Sequence, residues 1–79
     1  MNTRKWKQGT TRYLLRDGVP VKVTKRKNPE SDQKPFYADE VGDHFYLSSK
    51  EAKNLHGRRV TKTKYKQTEK NFEKVNIHH

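Results

Sequence analysis

A turn dipeptide between two alternating runs is the feature that most constrains the fold of this chain. Asp17-Gly18 separates residues 11–15 from residues 19–23, and such a dipeptide between alternating runs is typical of a β-hairpin. A one-residue slip exchanges the two faces of a strand, so burial can be used to predict the register. We expect a three-residue loop with a left-handed Gly18. That register collects on one face Thr11, Tyr13, Leu15, Val19, Val21 and Val23.

A second hairpin is predicted further along the chain, after the polar connection 25–34. Gly42-Asp43 suits a type II′ turn, which takes glycine first, between residues 35–41 and 44–48. In this register one face carries Phe36, Ala38, Phe45 and Leu47. The other face carries Tyr37, Asp39, Val41, His44 and Tyr46.

A short helix and a last strand follow the second hairpin. Ser48 and Glu51 have the spacing of a capping box, and Gly57 stands where a left-handed helix end is expected. Residues 58–65 alternate and predict a fifth strand. This order of two hairpins, a helical turn and a final strand resembles a small SH3-like barrel or a curled antiparallel sheet. The resemblance covers residues 11–65 and implies a mainly β fold.

The two ends of the chain are predicted to be disordered and basic. Only 28% of the 79 residues are hydrophobic and 35% are charged, so part of the chain cannot bury enough apolar surface to fold. We expect a flexible basic arm over residues 1–10, one small β domain over residues 11–65, and a flexible or weakly helical tail over residues 66–79. The apolar residues of that tail are Phe72, Val75 and Ile77.

The sequence carries no signal of an enzyme. It has no cysteine, no phosphate-binding glycine loop, and no histidine spacing of the kind that zinc sites show, so we expect no catalysis, cofactor or metal. His78 and His79 stand at the very end and can be a tag remnant. No apolar run approaches the roughly 20 residues of a membrane span. We therefore expect a cytoplasmic monomer without a membrane or small-molecule partner.

The positive charge is the main clue to function. The formal net charge is +10, and it is distributed as +8 over residues 1–27, −3 over residues 28–57 and +5 over residues 58–79. Such a balance favours an acidic partner. If the first hairpin and the last strand are neighbours, their cations merge into a stripe that can follow a phosphate backbone. That stripe comprises Arg12, Arg16, Lys25, Arg26, Lys27, Arg58, Arg59, Lys62 and Lys64.

Nucleic acid, bound with low sequence specificity, is therefore the first hypothesis for the partner. Tyr37 and Tyr46 can stack on bases, but the neighbouring acidic residues Asp39, Glu40 and Asp43 are expected to repel phosphates.

A protein partner is the alternative hypothesis. Trp6, Tyr37, His44 and Tyr46 provide the rigid amphipathic side chains that often anchor protein interfaces. In this interpretation the chain resembles a viral accessory protein in the host cytoplasm. It would act as an adaptor or inhibitor on an acidic surface of a host machine such as a protease, an unfoldase or a polymerase.

Overall fold

The computed structural model describes the backbone of residues 1–76 and the side chains of residues 1–72. The strands are β1 (Thr11–Arg16), β2 (Val19–Lys25), β3 (Phe36–Glu40), β4 (Asp43–Leu47) and β5 (Arg58–Val60), and the helices are α1 (Ser49–Lys53) and α2 (Lys62–Asn76). The strands form one antiparallel sheet in the order β4-β3-β2-β1-β5. This architecture confirms the expected mainly β fold.

The first hairpin adopts a different register from the predicted one. Arg16 pairs with Val19, so Asp17 and Gly18 form a two-residue turn, with φ of 52° and 80°. Positive φ at both positions is the type I′ geometry, whose twist matches that of the flanking strands. The predicted three-residue loop is therefore wrong. Leu14 pairs with Val21.

The reason for this register is that both faces of the sheet are covered. The face that we call the core face contributes Leu14, Val21, Val23, Phe36, Ala38 and Leu47, which pack with Trp6, Ala52 and Leu55. On the opposite, outer face, α2 packs on β1 and β2, and Tyr65 is buried at 3% exposure against Tyr13. The predicted register requires that one face alone is buried, whereas α2 covers the other face as well.

The second hairpin turns one residue earlier than predicted. Glu40 pairs with Asp43, so the turn residues are Val41 and Gly42, with φ of 49° and 89°. The predicted faces are nevertheless retained, because Tyr37 pairs with Tyr46 and Ala38 with Phe45. A positive φ is costly for a β-branched residue, so Val41 holds a strained turn conformation.

The N-terminal ten residues, which the sequence predicts as a flexible arm, contact the sheet and α1 in the structure. Trp6 is 4% exposed and its ring centroid lies 4.8 Å from that of Phe36, while its indole Nε1 donates to the Thr10 carbonyl at 3.0 Å. The Gly9 amide donates to the Lys25 carbonyl at 2.7 Å. The N-terminal amine donates to the Lys53 carbonyl at 2.7 Å. Trp6 therefore joins the core, while most other side chains of residues 1–10 are exposed.

The short helix α1 has the predicted start and a different end. The Ser48 hydroxyl accepts from the Glu51 amide and the Glu51 carboxylate accepts from the Ser48 amide, which confirms the capping box. The helix ends at Lys53 with Asn54 as its C-cap. Gly57 lies beyond this end with no positive φ, so its prediction as a left-handed cap is wrong. A Cβ there would lie 3.5 Å from the Leu14 Cβ.

The last predicted strand is mostly helix. β5 spans three residues, and α2 begins at Lys62 and continues through much of the predicted tail to Asn76. Tyr65 docks this helix on the sheet, which supplies the packing that a short helix needs in water. The Val75 side chain, Ile77 and the His78-His79 pair lie outside the described residues.

Candidate nucleic-acid interface

The last strand lies beside the first hairpin, as the charge argument required. β5 pairs antiparallel with β1, so that Arg59 stands opposite Leu14 and Arg58 opposite Leu15. Because successive strand residues point to opposite faces, the two arginines project to the two sides of the same sheet edge. Cations from both ends of the sequence therefore meet at the β5 edge.

Four shallow depressions surround this edge. One, of about 610 Å³, is lined by Arg58, Arg59, Val60, Thr61 and Lys64. Two further depressions are lined by Arg59, Arg12 and parts of the N-terminal segment. The fourth depression is lined by Asn2, Arg4 and Lys5. Among the residues that the structure places around these four depressions there is no Asp or Glu. Their cations, which we call the basic edge, are Arg4, Lys5, Lys7, Arg12, Arg58, Arg59 and Lys64.

Arg12 joins the N-terminal segment to β1. Its guanidinium donates to the Asn2 carbonyl at 2.6 Å and to the Arg4 carbonyl at 3.1 Å, and it lies 4.5 Å from the centre of the Trp6 ring. Burial, and then the nearby Arg59 charge, lower the pKa of Arg12. A guanidinium so occupied positions the N-terminal segment in addition to carrying charge.

The start of α2 adds cations at a place where a helix disfavours them. Thr61 accepts from the Lys64 amide through its hydroxyl at 3.2 Å and from the Tyr65 amide through its carbonyl at 2.9 Å. The first turn contains Lys62 and Lys64 and no acidic residue. Positive charge is unfavourable at the positive end of the helix dipole. By contrast, α1 carries Glu51 in its first turn.

The remaining predicted phosphate contacts lie elsewhere. The Arg16 guanidinium is 3.7 Å from a Glu40 carboxylate oxygen, and the Lys25 ammonium donates to the Trp6 carbonyl at 3.1 Å. Arg26 lies near β4, and Lys27 is exposed in the connection that follows β2. Of the nine predicted cations, the structure brings Arg12, Arg58, Arg59 and Lys64 together at the basic edge, and Lys62 is exposed in the adjoining helical turn.

Sequence reasoning misses Arg4, Lys5 and Lys7 because the composition of residues 1–10 predicts a flexible arm. The available signal was Trp6, a large apolar side chain between two lysines. Burial of such a ring stabilises a small core strongly, and it fixes the positions of the residues on both sides. Lys5 itself adopts a positive φ of 59°.

A second surface combines exposed rings on the outer face of β3 and β4. We call Tyr37, His44, Tyr46 and Arg26 the aromatic surface. The Tyr37 ring lies 5.6 Å from the His44 ring in a stacked arrangement and 5.2 Å from the Tyr46 ring edge-on. The Arg26 guanidinium lies 4.9 Å from the centre of the Tyr46 ring. Trp6 was predicted to act with these rings, but it is buried under the core face and cannot.

The acidic residues near the aromatic surface are arranged differently from the expectation. Strand alternation places Glu40 and Asp43 on the core side of the hairpin, away from the tyrosines. Asp39 shares the outer face with them, and one of its carboxylate oxygens lies 3.9 Å from both the Lys22 ammonium and His44 Nδ1. The expected repulsion of phosphates is therefore confined to one carboxylate with a nearby cation.

Comparisons with known protein families, curated proteins and solved structures give no match to this chain. Within the described part of the chain, no helix has the length and apolar character to cross a bilayer. Nor do three His, Asp or Glu side chains of the described residues come together as a metal ion would require.

Proposed function

We propose that this protein binds nucleic acid through phosphate contacts along the basic edge, with little sequence preference. The observation that carries the proposal is the gathering of seven cations around four depressions without a carboxylate among the described lining residues. Elsewhere in the molecule, three carboxylates lie within 4 Å of a cation, for instance that of Glu51 at 3.0 Å from the Lys34 ammonium. The charge of the basic edge is therefore available to an external anion.

The chemistry of the cations suits a phosphate backbone. An arginine guanidinium can donate two parallel hydrogen bonds to a phosphate, whereas a lysine acts as a point charge. Neutralising phosphates releases condensed counterions, which makes the binding strongly dependent on salt. Arg59 is central to this arrangement, since it lines three of the four depressions.

The test is a binding titration with labelled duplex and single-stranded oligonucleotides between about 50 and 200 mM salt. We expect Arg58→Ala/Arg59→Ala to weaken binding to all sequences about equally. Each exposed charge contact contributes roughly 0.2–1 kcal/mol, so we expect the double variant to lose about two- to thirtyfold in affinity. The slope of log K against log salt should also decrease by roughly one for each lost phosphate contact.

The matched control is Lys50→Ala/Lys53→Ala, which removes the same charge from exposed positions on α1. We expect this control to change both the affinity and the salt slope less than the arginine pair does. Equal effects of the two double variants would mean that net charge alone drives binding and would overturn the assignment to the basic edge. Absence of submicromolar binding at the upper salt concentration would overturn nucleic acid as the partner.

An acidic protein surface is the second candidate partner. The observation that favours it is the exposure of Tyr46, at 51%, beside Tyr37 and His44, because exposed rings of this kind anchor protein interfaces. A protein anchored there should lose roughly 2 kcal/mol or more of binding free energy on Tyr37→Ala or Tyr46→Ala. Effects below half of that at both sites, measured by calorimetry with a captured partner, would exclude these rings as anchors.

A further inference from the structure

We propose that the aromatic surface is a stacking platform for unpaired bases, so that the preferred ligand is single-stranded nucleic acid. This inference rests on the proposed function and specifies its ligand. The basic edge alone cannot discriminate between a duplex and a single strand, because both present phosphates. Rings can discriminate, because the bases of a duplex are already stacked and paired while those of a single strand have accessible faces.

The rings are held by rigid elements. Tyr37 and Tyr46 are directly opposite each other on β3 and β4, and His44 is two residues from Tyr46 on the same face. The Tyr37 ring contacts both neighbours, which limits its own rotation. The outward rings remain accessible, since Tyr46 is 51% exposed and the His44 side chain 54%. A base that stacks here meets preorganised rings, so little side-chain freedom is lost on binding.

Arg26 supplies a positive charge where the backbone of a stacked strand would pass. Its guanidinium lies over the Tyr46 ring at 4.9 Å and donates to the Lys34 carbonyl at 3.2 Å. A guanidinium has five N–H donors, so this hydrogen bond leaves others for a phosphate. Lys27 is exposed next to Arg26 in the chain. The surface thus combines the stacking rings and backbone cations that sequence-tolerant single-strand binding uses.

The local charge supports an anionic strand rather than opposing it. Asp39 is the acidic residue of β3 and β4 that shares the outer face with the rings, and it lies 3.9 Å from both Lys22 and His44. Glu40 is directed to the core side, where it lies 3.7 Å from Arg16. Beside the rings, Arg26 lies over Tyr46, and Lys22 lies next to the Asp39 carboxylate. This charge balance accepts an anionic ligand, and the exposed rings favour one that also presents bases for stacking.

The decisive experiment compares an oligothymidylate of about 15 nucleotides with an abasic oligonucleotide of the same length and charge. Both probes present the same phosphates, and only the first offers bases. We expect the full chain to bind the oligothymidylate at least about fivefold more tightly, since base stacking is worth about 1–3 kcal/mol per base. Tyr37→Ala/Tyr46→Ala should bring the ratio of the two affinities towards one without changing the salt slope.

The matched control is Tyr37→Phe/Tyr46→Phe, which keeps the rings and removes the hydroxyls. It should retain the preference for the oligothymidylate. Thermal unfolding by circular dichroism checks that each variant is folded, and Tyr46→Ala alone provides the test if the double alanine variant does not fold, because Tyr46 is half exposed. A loss of preference in the phenylalanine variant would overturn base stacking.

The outcomes separate this inference from the function on which it rests. Equal affinity of the wild-type chain for both probes, with a steep salt slope, would overturn the stacking platform and leave phosphate binding at the basic edge in place. Failure to bind either probe would overturn the proposed function itself. A preference for bases that persists in Tyr37→Ala/Tyr46→Ala would place stacking at another surface and also contradict the inference.

Discussion

The basic edge and the segment 36–53 show opposite uses of charge. In the segment formed by β3, β4 and α1, three carboxylates lie close to cations. Asp39 lies 3.9 Å from Lys22, Glu40 lies 3.7 Å from Arg16, and Glu51 lies 3.0 Å from Lys34. At the basic edge, the cations line depressions that no described carboxylate shares. The difference shows that the fold places these three carboxylates beside cations and away from the described lining of the basic edge.

The two regions also differ in how they are built. The segment 36–53 is local, since one hairpin and one helical turn bring its residues together. The basic edge joins residues 4–12 to residues 58–64 through Arg12 and the β1–β5 pairing. We therefore expect changes at the edge to alter both folding and salt-dependent binding. Changes in the turn and cap of the segment 36–53 should alter stability alone.

The largest expected effect is that of Trp6→Ala. Replacing a buried tryptophan by alanine costs about 3–5 kcal/mol, which equals the net stability expected of a core this small. We expect the variant to be largely unfolded and to bind oligonucleotides more weakly, as measured by urea unfolding and oligonucleotide titration. Trp6→Phe keeps a ring against Phe36 and Arg12 and should remain folded. A loss below about 1 kcal/mol in Trp6→Ala would contradict this difference between the two regions, because Trp6 would then not anchor the N-terminal segment in the core.

A smaller effect is expected from Arg12→Ala. The substitution removes charged hydrogen bonds to the Asn2 and Arg4 carbonyls and the cation–π contact with Trp6. We expect a loss of about 2 kcal/mol in stability, together with a lower salt slope, because the cations of the N-terminal segment are no longer held at the edge.

Arg12→Lys separates the effect of the charge from that of the planar guanidinium. Lysine keeps the charge but lacks the planar fork that reaches both carbonyls. We expect the lysine variant to resemble alanine in stability and to recover little of the salt slope. Behaviour like that of the wild type would show that the charge of Arg12, and not its planar guanidinium, holds the N-terminal segment on β1.

Val41→Asn should raise the free energy of unfolding, by about 1 kcal/mol. Val41 adopts a φ of 49° in the β3–β4 turn, a region that costs an ordinary L-residue about 1–2 kcal/mol and that asparagine tolerates. We expect a higher unfolding midpoint and an unchanged salt slope. Val41→Ala is the control, because it removes the branched side chain while the left-handed cost largely remains. A change of the salt slope in Val41→Asn would contradict the separation of the two regions.

The smallest effect concerns the cap of α1. The Ser48 amide, then Lys34 and the Ser48 hydroxyl, lower the pKa of Glu51 from 4.5 to about 2. A lowered pKa in the folded state contributes stability above the unfolded value, and this contribution is lost as the pH falls from 4.5 towards 2. Glu51→Gln should therefore be less stable than the wild type at pH 7, and the difference should disappear near pH 2.

Urea unfolding of both proteins across this pH range checks the prediction, since all other titrating groups are common to the two. A difference that stays constant with pH would show that the charge of Glu51 does not stabilise the helix.

Much of the fold was predictable where local rules suffice. The capping box of Ser48 and Glu51, the two hairpins and the faces of β3 and β4 follow from turn chemistry and alternation. The turn of the second hairpin lies one residue earlier than predicted. It places Val41 at a positive φ, which local rules disfavour for a β-branched residue. In the first hairpin, Asp17-Gly18 forms the two-residue turn that its residue types favour, and the predicted register is wrong because α2 covers the outer face as well.

Turn residues and strand alternation predict the antiparallel hairpins, and residue types alone show a large positive charge in two separate segments. Tertiary structure alone decided which cations meet. It brought Arg4, Lys5 and Lys7 to the β5 edge through the burial of Trp6, and it occupied Arg16 with Glu40. It also turned residues 62–65 from a predicted strand into the start of α2. The physical reason is that turn and alternation preferences act between neighbours in the chain, whereas burial on both faces of the sheet depends on segments far apart in sequence.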